Sequence, residues 1–102
     1  MFRKCKLIRL INGSVKEAEL QLQNRKNGID GEGTIYQIQD VILPELKTLL
    51  QSVNDGTFFE IPPQNRYLVS YAYIIKSWGW NLQKASILGG KIARLGNYMK
   101  KL

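Results

Sequence analysis

At 102 residues, with 44% apolar and 23% charged side chains, the chain has enough apolar material for one hydrophobic core and too much for a disordered segment. Its lone cysteine, Cys5, excludes an internal disulfide, and the absence of histidine leaves few of the side chains that usually bind metals or move protons at neutral pH. A net charge of +7 points to an anionic partner.

These features lead us to expect one domain over 1–102, not an enzyme, with no cofactor, no metal and no small-molecule substrate. A cytoplasmic location is expected, because the apolar run in MFRKCKLIRLINGS is too short and interrupted for a secretory signal.

The first stretch reads as a β-hairpin. Asn12-Gly13 joins KCKLIRLI to SVKEAELQLQ, and Asn-Gly tolerates the positive φ that a two-residue turn needs. Pairing outward gathers Leu7, Ala18, Cys5 and Leu20 on one face and sets Lys6 opposite Glu19 on the other. A rival reading is helical: Ser14-x-x-Glu17 is a capping box, and a helix from Val15 aligns Val15, Ala18 and Leu22. Residues 24–33, NRKNGIDGEG, read as a loop. Asp30 and Glu32 within it do not match a calcium-binding loop.

Thr34 to Leu43 reads as a strand with Tyr36, Ile38 and Ile42 on one face. Pro44 suits the first turn of a helix whose Leu46, Leu49, Leu50 and Val53 share a face, and Asn54-Asp55-Gly56 stops it. Thr57 to Ile61 is a short strand candidate closed by Pro62-Pro63. From Arg66 to Trp80 the chain is densest in aromatic and branched residues; polar positions at Arg66, Ser70, Tyr73 and Ser77 favour a helix needing cover from several sides. It is the element around which the rest is expected to pack.

Asn81 is a reasonable N-cap for a last helix over 82–101. Ala85, Leu88, Ile92, Leu95, Met99 and Leu102 form a heptad-like seam. Gly89, Gly90 and Gly96 each cost about 0.5–1 kcal/mol in a helix, so close approach by the 66–80 helix is the expected compensation. The predicted fold is α+β: a small antiparallel sheet, the N-terminal β-hairpin plus short later strands, packed against helices, with two long helices at the C-terminus.

The charge is unevenly placed. Residues 1–60 carry eight basic and all eight acidic side chains, whereas 61–102 carry Arg66, Lys76, Lys84, Lys91, Arg94, Lys100 and Lys101 with no acid. These seven are the candidate contacts to an anionic macromolecule, with nucleic acid preferred. There is no helix-turn-helix, zinc or RNP pattern. The alternative is a protein-protein interaction or inhibitor module that docks an acidic protein surface, takes a peptide, or forms a homodimer through the Leu88/Ile92/Leu95/Met99 seam. A membrane-surface role for ILGGKIARLGNYMKKL ranks below both.

Overall fold

The structure, a computed structural model, describes residues 2–29, 33–78, 80 and 87–102. Along the first 26 residues the apolar positions Leu7, Ile11, Ala18 and Leu22 repeat at helical spacing. They line one side of a single helix, α1 (Phe2–Lys26). Its 25 residues at about 1.5 Å each run along the 40 Å long axis of the molecule. The expected hairpin is not formed: Asn12 and Gly13 lie mid-helix, and Gly13 lacks the positive φ of a tight turn. The alternation in ELQLQ lasts five residues, while the helical pattern lasts four turns; the hairpin register would set Arg9 and Lys16 on the same face as Leu7, Ile11 and Ala18, whereas the helix buries those three and leaves both cations exposed. Ser14, the one polar residue within that stripe, is buried and donates its hydroxyl to the Leu10 carbonyl at 3.0 Å, which removes the penalty of placing it there. The helix stops at Gly28, whose φ of 77° permits the paired bonds Gly28 N to Arg25 O and Ile29 N to Asn24 O.

The next helix begins with a reciprocal cap. Thr34 N donates to Gln37 Oε1 at 3.0 Å, and Gln37 N donates to Thr34 Oγ1 at 3.1 Å. Instead of the strand expected over 34–43, residues Gln37–Ile42 form a π-helical segment that runs into α2 (Leu43–Asp55). Ile38 and Ile42, four apart, are both buried, whereas Ile35 and Tyr36 face outward. Pro44 explains the widened turn: it has no N–H for the Asp40 carbonyl and its ring crowds that group, so the preceding turn opens, with Leu43 N–H bonding to Ile38 O. Gly56, with φ 87°, ends α2.

Thr57–Glu60, expected as a strand, is a 3-10 turn that buries Phe58, and Pro63–Asn65 is a second. The helix expected over 66–80 is confined to α3 (Val69–Lys76). Leu68 is extended, and the N-terminus of α3 is held from α2: the Glu45 carboxylate accepts from Val69 N (2.7 Å), Ser70 N (2.9 Å) and Ser70 Oγ (2.5 Å). A side chain from another helix thus takes the place of a local cap. Beyond α3, the rings of Tyr73, Trp78 and Trp80 follow one another at 5.4 and 5.8 Å. Trp80 packs over Gly33, whose φ of 74° and missing Cβ leave room for the indole.

The last helix is α4 (Ile87–Lys100). Leu88, Ile92, Leu95 and Met99 are buried in the core of this same chain, facing α1 and α3. At Gly90 and Gly96 glycine does not serve close approach as expected, since a Cβ added at either would meet nothing within 4 Å. Tyr98 Oη reaches the Arg3 carbonyl at 3.5 Å, so α4 runs antiparallel to α1.

The α+β expectation is overturned. Among the described residues there is no strand, and the fold is four α-helices joined by the π-helical segment and 3-10 turns. The organising element is α1, which packs on α4, α2 and the π-helical segment, rather than the 66–80 stretch. Among the described residues no helix is long and apolar enough to cross a membrane.

Candidate anion-binding face

Residues 1–16 contain Arg3, Lys4, Lys6, Arg9 and Lys16 and no acid; all eight acids lie between Glu17 and Glu60. Residues 87–102 contain Lys91, Arg94, Lys100 and Lys101, again with no acid. Antiparallel packing of α1 on α4 brings these two acid-free ends side by side. A groove of about 290 Å³ runs between them, lined by Lys6, Leu10, Arg94, Asn97, Tyr98 and Lys101. Three cations, an amide and a phenol face it, and among the described residues that line it none is a carboxylate. Lys6 Nζ lies 4.9 Å from the centre of the Tyr98 ring, a cation–π contact that fixes the ammonium at the groove wall. On α4, Lys91, Arg94, Tyr98 and Lys101 are spaced 3, 4 and 3 residues apart, so Lys91 extends the same stripe.

Around the helix ends, a second concavity of about 480 Å³ is lined by Arg3, Lys4, Cys5, Phe59, Arg66 and Leu102. It is more apolar, although Arg3 and Lys4 are among its lining. Glu60, next to Phe59, is exposed and lines neither concavity. A further groove of about 560 Å³ between α1 and α2 is lined by Glu19 as well as Lys26 and Lys47, so its positive charge is offset in part.

The six described cations of the seven expected to act together are not all presented on one surface. Arg94 and Lys101 line the groove, and Lys100 is exposed beside them. Lys76 belongs to the last turn of α3 and lines neither concavity. Lys84 lies outside the described residues, as do Asn81, Ala85, Asp30 and Glu32. Arg66 is only 6% exposed. Its Nε donates to Ile61 O (2.9 Å), Nη1 to Leu102 O (2.5 Å) and Nη2 to Phe59 O (3.3 Å), and the guanidinium sits 4.8 Å from the centre of the Phe58 ring. Its donors are directed at the chain's own carbonyls, so Arg66 ties the 57–68 segment to the end of α4 rather than offering itself to a ligand.

Sequence reasoning missed Lys6, Arg3 and Lys4. The signal was a charge count cut at the wrong place: a division at residue 60 merges a wholly basic first helical half with an acidic middle. The apolar face of α4, for which a second copy or a lipid surface was an alternative to covering the core, packs within this chain against α1 and α3. Among the described residues no three histidine, cysteine or carboxylate side chains are grouped to hold a metal ion. No family model, curated protein or solved structure matches this chain.

Proposed function

We propose that this protein is a non-enzymatic module that binds nucleic acid through the phosphate backbone, using the α1/α4 face. The observation that carries the reading is the groove in which Lys6, Arg94 and Lys101 converge beside Asn97 and Tyr98, with no carboxylate among the described residues of its lining. Like charges held together in this way repel one another, and a polyanion that threads between them relieves the repulsion while releasing its own counterions. The stripe from Lys91 to Lys101 covers ten residues of helix, about 15 Å, a length that meets several successive phosphates rather than one.

The test is binding of a fluorescent oligonucleotide at graded salt. Four or five phosphate contacts give a slope of log K against log salt of about −4 on duplex. A variant combining Lys6→Gln, Arg94→Gln and Lys101→Gln should flatten that slope by about 2 to 3. Absence of binding at low salt, or binding indifferent to salt, ends the proposal.

A second reading, a protein-interaction module, rests on a different surface. Ile61, Tyr67, Val69, Tyr73 and Ile75 are all exposed on or just before α3. Retention of a specific protein from native extract after nuclease treatment, lost on Tyr73→Ser, would favour it over the first.

A further inference from the structure

The apolar concavity beside the basic groove adds a preference that phosphate contacts alone do not supply. The two are continuous: Arg3 lines the concavity while its carbonyl accepts from Tyr98 of the groove, and Lys101 and Leu102 belong one to each. Resting on the nucleic-acid reading above, we infer that the ligand is single-stranded, with its phosphates along Lys6, Arg94 and Lys101 and an unpaired base inserted against the Phe59 ring.

Phe59 is suited to this by exposure and by support. It is 41% exposed, and its ring stands edge-on to the buried Phe58, with centroids 5.1 Å apart and planes at 88°. Its backbone is held at both ends: Phe59 N donates to Gly56 O at 3.1 Å, and Phe59 O accepts from Arg66 at 3.3 Å. A ring braced in this way loses little conformational freedom when a base packs on it. The volume of about 480 Å³ falls within the roughly 300–1,000 Å³ of small-ligand pockets.

Among the described aromatic side chains, Phe59 alone lines the concavity. Tyr98 is half buried and its ring is engaged by Lys6, and the exposed Tyr36, Tyr67 and Tyr73 line neither concavity. A duplex presents phosphates, sugars and base edges but keeps the base faces stacked inside, so it has no base face to place against Phe59. A single strand offers a charged backbone and apolar base faces together, matching the pairing of surfaces. The donors of Arg66 are already directed at backbone oxygens, which leaves the Arg3 and Lys4 side chains as the charged donors in the described lining that can meet a base edge.

The experiment compares, on the full chain, a labelled oligonucleotide of about 12 nucleotides, its duplex form, and an abasic strand of the same length. The single strand should bind more tightly than the duplex. Removing the bases, or replacing Phe59→Ala, should each weaken single-strand binding by roughly 5- to 100-fold, with duplex affinity unchanged by the substitution. Equal affinity for the base-bearing and abasic strands, or a duplex bound as well as the single strand, overturns the inference and leaves the phosphate-binding reading standing. If no nucleic acid binds at low salt, both fall. Should Phe59→Ala unfold the protein, as read by helical circular dichroism, the abasic comparison on the unaltered chain still decides.

Discussion

Gly13→Ala separates the two conformations open to the N-terminal stretch. In α1 the residue is mid-helix without a positive φ, and a Cβ built there meets no atom within 4 Å outside the local helix backbone. Alanine therefore adds no clash and removes the entropic disadvantage of glycine, a gain of about 0.8–1.0 kcal/mol. For a domain of this size that corresponds to a rise in Tm of about 4–8 °C. In urea the midpoint should move up by about 0.3–0.9 M with an unchanged m-value. A hairpin turn at Asn12-Gly13 reverses the sign, because an alanine forced to positive φ costs about 1–2 kcal/mol. Thermal and urea unfolding followed by circular dichroism are sufficient; a lower Tm and a lower midpoint would refute a continuous α1 and with it the antiparallel α1/α4 face.

The remaining predictions concern the contacts that hold the other helices and the cost of the basic face. Arg66→Ala should destabilise the fold by about 2–4 kcal/mol by leaving three carbonyls without their charged donor, and Arg66→Lys should recover little, since one ammonium does not reproduce the guanidinium fork; equilibrium unfolding measures both. Glu45→Ala should cost about 1–2 kcal/mol and raise amide exchange at the start of α3, with Glu45→Gln intermediate because it keeps an acceptor oxygen. Asp55 is held below the ordinary aspartate range first by the Thr57 backbone N–H and next by the Thr57 hydroxyl. Its folded pKa is the lower one, so its stabilising effect is present above about pH 4 and is lost as pH falls through the folded value; a pH series of urea midpoints should lose that component in Asp55→Asn. Arg94→Gln should weaken oligonucleotide binding while raising the Tm of the free protein at low salt, a gain that disappears at high salt; a fall in Tm at low salt would contradict a self-repelling face.

What the sequence disclosed was periodicity, and what it concealed was context. Leu46 and Val53 on α2, and Leu88, Ile92, Leu95 and Met99 on α4, are buried where the 3.6-residue pattern puts them. The stop at Gly56 was equally legible, because an αL residue after a helix is a local matter. The failures are places where tertiary partners override a local preference. Asn12-Gly13 is a strong turn signal only if the flanking residues pair as strands, and burial of Leu7, Ile11 and Ala18 against two other helices outweighs it. The stretch 34–43 has strand-forming residues, yet the Thr34–Gln37 cap and the proline ten residues on from Thr34 convert it to a widened helix. Arg66 looked like a surface charge because nothing local shows that Phe59, Ile61 and Leu102 turn their carbonyls toward one point. Of the candidate site, Arg94 and Lys101 were readable from the acid-free C-terminal stretch; Lys6 required knowing that the first helix lies against the last.

The same two helices supply both the strongest packing and the strongest repulsion in the molecule. Beneath the groove, Leu7 and Ile11 of α1 and Ile92, Leu95 and Met99 of α4 are buried side chains, each contributing on the order of 1.5–3 kcal/mol by transfer from water. Above it, the cationic side chains oppose that association by fractions of a kcal/mol per pair in a solvated setting. The imbalance explains how an uncompensated basic surface persists: hydrophobic burial sets the spacing of the helices, and the charges have no freedom to separate except by opening the core. Contrast with Arg66 sharpens the point, because there the protein does neutralise a cation's demands, with three carbonyls and an aromatic face. Where the described residues of their groove set no carboxylate beside Lys6, Arg94 and Lys101, the fold is holding charge in place that its own packing does not require.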